Sequence, residues 1–169
     1  MSTRRQGDMP AWADPYWQGP RVGFVAESNR IEGITRPARQ AELDAHRTLW
    51  GLDVIEVVDL EQFVEFVAPG ARLRRHVGMN VRAGQHVPRP GGPAVEYDLR
   101  ELLVLVHAGD VTPYEAHCRY EHLHPFMGGN GRSGRALWAW HMQRVGLDPF
   151  AGPFLHRWYY QSLDAWRAP

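Results

Sequence analysis

The stretch His124–Arg135, HPFMGGNGRSGR, decides how the rest of the chain is read. Pro125 breaks the helical pattern that precedes it, and Gly128, Gly129 and Gly131 allow backbone geometry closed to other residues. A new helical pattern starts near Asn130 to Arg132. The N–H groups of a glycine-rich turn leading into a helix N-terminus form an anion site, and the helix dipole adds to it. Arg132 and Arg135 are three apart, so both are expected on one side of that first turn. Asn130 is expected to offer an amide donor at the mouth, and His124, on the opposite limb, can take a proton near neutral pH. Base, anion cradle and paired arginines together point to phosphoryl or nucleotidyl chemistry. The plainer alternative is a helix–loop–helix connector whose second helix starts in solvent. The loop contains no carboxylate, although polyphosphate sites commonly hold a metal through one.

Working outward, the chain reads as mainly α. Helical patterns are expected in RVGFVAESNRIEG (21–33), stopped by Gly33, and in RPARQAELDAHRTLWG (36–51), with Pro37 near its start. Val57, Leu60, Val64 and Val67 repeat at helical spacing in the next. Three more follow after residue 93, one with Thr112 as N-cap and Pro113 at its first position, and a last one spans FLHRWYYQSLDAWR (154–167). Between them, Val77, Met79 and Val81 alternate before an expected turn at Ala83-Gly84, and Pro88, Pro90 and Pro93 come after. That pattern predicts a β-hairpin over about 76–90. The Pro-, Gly- and Trp-rich residues 1–20 are expected to form an arm on one domain spanning 21–169.

The 169 residues suffice for one domain burying roughly 70% of its unfolded surface. Net charge is zero, which argues against a general nucleic-acid binder or a membrane-surface protein. All 19 basic residues are arginine, so the mere presence of an arginine carries little information. A single cysteine, Cys118, excludes an internal disulfide framework and fits a reducing compartment. With no apolar run long enough to span a membrane and no apolar leader in MSTRRQGDMP, the expected location is cytoplasmic. His117, His122 and His124 lack neighbouring ligands in a recognised metal spacing, and His117 reads better as a packed histidine.

The His124–Arg135 stretch resembles the signature of Fic-domain proteins, His-Pro-Phe-x-(Asp/Glu)-Gly-Asn-Gly-(Lys/Arg)-x-x-Arg. His124, Pro125, Phe126, Gly129, Asn130, Gly131, Arg132 and Arg135 match it. The resemblance extends over roughly residues 20–165 through the helix–hairpin–helix order, and it implies an all-α Fic-type helical domain with a hairpin flap. It also implies transfer of AMP from ATP to a Ser, Thr or Tyr hydroxyl of a target protein. On that reading His124 deprotonates the hydroxyl, and the Gly129–Gly131 backbone with Asn130 receives the α-phosphate. Arg132 takes the β-phosphate, Arg135 the γ-phosphate, and the flap registers a target segment by strand-like pairing. Upstream, SNRIEG (Ser28–Gly33) resembles the inhibitory signature (Ser/Thr)-x-x-x-Glu-(Gly/Asn) of autoinhibited family members. There Ser28, Glu32 and Gly33 match, and Glu32 is expected to pair with Arg135.

One position departs from the pattern. Gly128 stands where the family has the acid that helps hold Mg²⁺, so the Mg²⁺ that the resemblance implies is put in question. Four explanations follow: a slow AMP-transferase, a less metal-dependent transfer, a nucleotide-binding regulator without catalysis, or an introduced substitution. The favoured expectation is an AMP-transferase restrained both by Glu32 and by Gly128. A pseudoenzyme that binds nucleotide or a partner protein is the alternative, and an interaction module whose flap captures a strand is a third. The expected partners are nucleotide and a target protein, without nucleic acid or membrane, with self-association possible.

Overall fold

A computed structural model describes residues 19–151 of the chain. The expected residue 1–20 arm, but for its last two residues, and the expected helix at 154–167 lie outside them. The described residues are mainly helical: α1 Pro20–Ile31, α2 Gln40–Trp50, α3 Val57–Val67, α4 Pro93–Ala108, α5 Pro113–Leu123 and α6 Asn130–Arg144. None of these helices is long and apolar enough to cross a membrane.

Local chemistry sets several boundaries. The Thr112 hydroxyl accepts from the Glu115 N–H at 3.2 Å and caps α5, with Pro113 at the first position, where its missing N–H does no harm. Helix α4 ends at Gly109, whose φ of 75° suits a residue without a Cβ. Helix α1 stops at Ile31, so Glu32 is its C-cap rather than part of it.

Helix α6 touches α1, α2, α3 and α5. It packs tightly on α5 at Gly134, where a Cβ would overlap the Glu121 carboxylate and stand 2.9 Å from the Tyr120 ring. The Tyr120 hydroxyl shares a 2.7 Å hydrogen bond with Ser133 Oγ across that contact. The central apolar cluster draws on α2 to α6 and their connections, including Leu60, Phe63, Leu99, Tyr120, Phe126 and Leu137. Helix α1 buries Phe24, Val25 and Ile31 outside that cluster. Phe24 packs edge-on to Trp50 (5.6 Å between centroids) and stacks on Trp138 (6.3 Å).

The expected hairpin is reduced to one closure. Ala83 and His86 exchange both backbone hydrogen bonds, at 2.9 and 3.0 Å, around a turn at Gly84-Gln85, one residue later than the sequence suggested. Gly84 has φ 60°. The alternation of Val77, Met79 and Val81 meets no partner strand among the described residues, because the limb opposite carries Pro88 and Pro90, which cannot donate to a ladder. The limbs are pinned instead at their base. Gly91 lies so close to residues 76–79 that a Cβ there would stand 2.8 Å from the His76 carbonyl oxygen, and its N–H donates to Asn80 Oδ1 at 3.0 Å.

Candidate functional site

The residues after α5 form a loop held at both ends. His124 is the α5 C-cap in the left-handed region (φ 50°, ψ 61°), with its N–H donating to the Tyr120 carbonyl at 2.9 Å. The half-buried His124 ring has Nδ1 3.3 Å from the Glu121 carbonyl. Residues 125–127 then pair antiparallel with 72–74: Arg74 N–H donates to Pro125 O at 2.8 Å and Met127 N–H to Arg72 O at 2.9 Å. Gly129 (φ 73°) is the N-cap of α6, and a Cβ there would come within 2.8 Å of Ala68 Cβ, so both the turn and the packing require glycine. Gly128 is under neither constraint. A Cβ would sit in ordinary contact, 3.5 Å from Ala71 Cβ.

Asn130 departs from its expected place at the mouth. Its side chain is buried, accepting from the Phe126 N–H and donating to the Phe126 carbonyl, each at 2.8 Å. It is the staple that closes the loop, since a buried peptide group must find partners somewhere. What remains as a candidate anion cradle is main-chain N–H at the start of α6. Arg132 and Arg135 likewise diverge. Arg132 Nη1 donates to the Val67 carbonyl at the end of α3, where helix carbonyls lack intrahelical partners, while its buried Nε has no partner. Burial lowers the Arg132 pKa, and the charges of Glu32 and Glu42 work against that.

Arg135 turns toward α1. Its side chain is 1% exposed. Nε donates to Ser28 Oγ at 2.9 Å, and Nη2 donates to Ser28 O at 2.9 Å and to Glu32 Oε1 at 2.6 Å. Glu32 reaches it by passing over Gly131, where any Cβ would overlap Oε1 and lie 2.8 Å from Arg135 Nη1. The carboxylate thus rests on the first turn of α6, the position that favours negative charge. The structure brings Ser28, Glu32, Gly131 and Arg135 together. Gly33, at φ 75°, turns the chain away just beyond them.

Two residues that the sequence did not single out complete the arrangement. Glu42 is fully buried and receives Asn29 Nδ2 at 3.2 Å, Arg36 Nη1 and Nη2 at 3.0 and 2.5 Å, and the Arg39 N–H at 2.9 Å. Burial alone would raise its pKa, but these bonds outweigh it and hold the carboxyl at about 2. Glu42 so ties the end of α1 to α2. The other is Arg74, fully buried under the loop. Its only sequence cue is the run RLRRH (72–76), unremarkable in a chain whose every cation is arginine. His117 is buried, its pKa pushed down to about 3 by burial and then by Arg135, and from α5 it faces Gly134 and Arg135 of α6.

The residues present do not fit a protein-held Mg²⁺. Gly128 offers no side-chain oxygen, and Glu32, the carboxylate resting on the cradle, is paired with Arg135. Among the described residues no three His, Cys, Asp or Glu side chains converge as ligands. Compared with known proteins, the chain matches no family model and no curated sequence. The resemblance to Fic-domain proteins rests on the quoted motifs.

Proposed function

We propose that this chain is a protein adenylyltransferase of Fic type, held at rest by its own Glu32. The observation that carries the reading is the carboxylate lying over Gly131 and bonded to Arg135 at 2.6 Å. An anion-binding helix start occupied by an internal anion is what autoinhibition by a competing carboxylate requires. With Glu32 displaced, Arg135 is available to a terminal phosphate and the α6 N–H groups to the phosphate under attack. His124 takes the proton from a target hydroxyl, and that oxygen forms a bond to the α-phosphorus. The bond to the bridging oxygen breaks, and pyrophosphate leaves with its electron pair. Arg132 reaches the β-phosphate by giving up the Val67 carbonyl. The 76–90 segment, with Val77 and Val87 exposed, would register the target chain, and the target is expected in the cytoplasm.

A second reading is favoured by Gly128: a regulator that binds nucleotide without transferring it. The test separates the two. Glu32→Gly incubated with labelled ATP, Mg²⁺ and cell lysate labels itself or a lysate protein if the transferase reading holds. Labelling only in Glu32→Gly/Gly128→Asp assigns the natural chain to the regulator. Silence in both, with no heat of ATP binding by calorimetry, removes the nucleotide reading.

A further inference from the structure

Arg74 lies in the connection between α3 and α4 with no exposed surface, and none of its hydrogen bonds goes to a carboxylate. Its guanidinium donates to four main-chain carbonyls instead: Nε to His124 at 2.7 Å, Nη2 to Leu123 at 2.8 Å, and Nη1 to Arg89 at 2.8 Å and Met79 at 3.3 Å. The Arg74 backbone adds two more bonds, donating to Pro125 O at 2.8 Å and accepting from Gly92 N–H at 2.9 Å. The partners fall into two groups. Leu123, His124 and Pro125 end α5 and open the site loop. Met79, Arg89 and Gly92 belong to the two limbs of the hairpin segment and the start of α4.

The chemistry of the contact explains why arginine suits it. The last carbonyls of α5 carry the negative end of the helix dipole and lack intrahelical donors. A planar guanidinium presents five N–H groups in a fixed fork and can serve both groups at once; a compact ammonium cannot. His124 is the one non-glycine residue with positive φ among the described residues. The bond to its carbonyl fixes the peptide after it, and with that peptide the direction in which the imidazole leaves the chain.

We propose that Arg74 is a positioning residue that makes one mechanical unit of the His124 loop and the 76–90 segment. The histidine and the chain that would present the acceptor hydroxyl then keep a set spacing whatever Glu32 is doing. The catalytic meaning rests on the reading of His124 as the base, whereas the coupling itself does not.

The test is amide hydrogen exchange by NMR on the full chain. In the unaltered protein the N–H groups of Arg74, Gly92 and Met127 open together, with one rate and one dependence on low denaturant. Gly92 opening independently of the other two overturns the coupling, and this holds even if no Arg74 variant folds. Arg74→Lys speeds exchange in both 76–92 and 123–127, about ten- to a hundred-fold, for charge-assisted bonds lost on both sides. It also shifts or splits the His124 ring resonance, assigned by its loss in His124→Ala. Arg75→Gln is the neighbouring control, because the Arg75 side chain pairs with Glu61 and Glu96 at 3.0 Å and with none of the six residues that Arg74 holds. It leaves exchange and the His124 resonance unchanged. Loosening of one segment alone, an unmoved His124 resonance in Arg74→Lys, or an equal effect of Arg75→Gln refutes the proposal. A Glu32→Gly protein that transfers nothing would count against the transferase reading and leave the exchange result standing.

Discussion

Replacing Glu32 with glutamine keeps the side chain's length and removes its charge, so it tests whether the carboxylate occupies an anion's seat. The contact at stake is a single 2.6 Å bond to Arg135, which is 1% exposed, from a carboxylate that is 31% exposed. A buried hydrogen bond to a charged group contributes about 1.5–3 kcal/mol, and a fully exposed pair contributes about 0–1 kcal/mol. The one-sided exposure discounts the first figure, and the two bonds to Ser28 keep Arg135 from being stranded, which places the loss near ~2 kcal/mol. For a domain of this size that lowers Tm by about 4–8 °C, measured by scanning calorimetry without ligand. The same ~2 kcal/mol appears with opposite sign in binding. ATP no longer has to displace the carboxylate, so Glu32→Gln binds it about 30-fold more tightly by titration calorimetry. A lower Tm without tighter ATP binding would make Glu32 a structural residue only and end the autoinhibitory reading. No change in either quantity would mean the contact contributes nothing in solution.

The neighbouring glycines give sharper contrasts. Gly131→Ala puts a Cβ where Glu32 Oε1 lies and 2.8 Å from Arg135 Nη1, so it lowers Tm as Glu32→Gln does but, filling the same anion seat, leaves ATP binding no tighter by calorimetry. Gly129→Ala combines φ 73° with a 2.8 Å approach to Ala68 Cβ and destabilises by about 1–3 kcal/mol in urea titration, whereas Gly128→Ala falls within about 0.5 kcal/mol of the parent. Acid should destabilise the protein in two windows. Burial holds His46 neutral down to about 4 and His117 down to about 3. Unfolded histidine protonates near 6.5, so the unfolded state binds more protons as pH falls below about 6.5, and stability declines from there toward pH 4. The Glu42 carboxyl, held at about 2, adds a further decline below about 4.5 as its unfolded counterpart protonates. Tm measured from pH 7 to 4 should fall, less steeply in His46→Phe, and a flat profile would contradict the burial of both histidines.

Helices were legible because their signals are local. The Thr112-Pro113 start, the Gly51 end of the 36–51 pattern and the apolar period of α3 each act within a turn or two of chain. The juxtaposition of Glu32 and Arg135, 103 residues apart, was anticipated only through two quoted motifs, since nothing in the spacing brings them together. The hairpin was over-read, because alternation describes one strand and pairing needs a second limb able to donate. Asn130 was read as a donor to a ligand when the nearest unmet need was the Phe126 peptide two residues outside the glycine turn. Arg74 and Glu42 carried no distinguishing signal. Arg74's partners are carbonyls brought close by tertiary folding, Glu42's are the nearby Arg36 and Arg39 together with Asn29 of α1, and neither residue type stands out in a chain of 19 acids and 19 arginines.

Glu32 sits one residue beyond the end of α1, and that location separates two kinds of opening. The helix itself stays seated through Phe24 among the rings, Asn29 on Glu42 and Ser28 on Arg135. The carboxylate can leave by rotation about its own bonds, without any of those contacts parting. A latch of ~2 kcal/mol that opens alone is open in about 3% of molecules at any instant. On the proposed reading the resting protein is then never silent. It has a duty cycle, and its background turnover is set by one rotamer equilibrium rather than by how often a helix detaches.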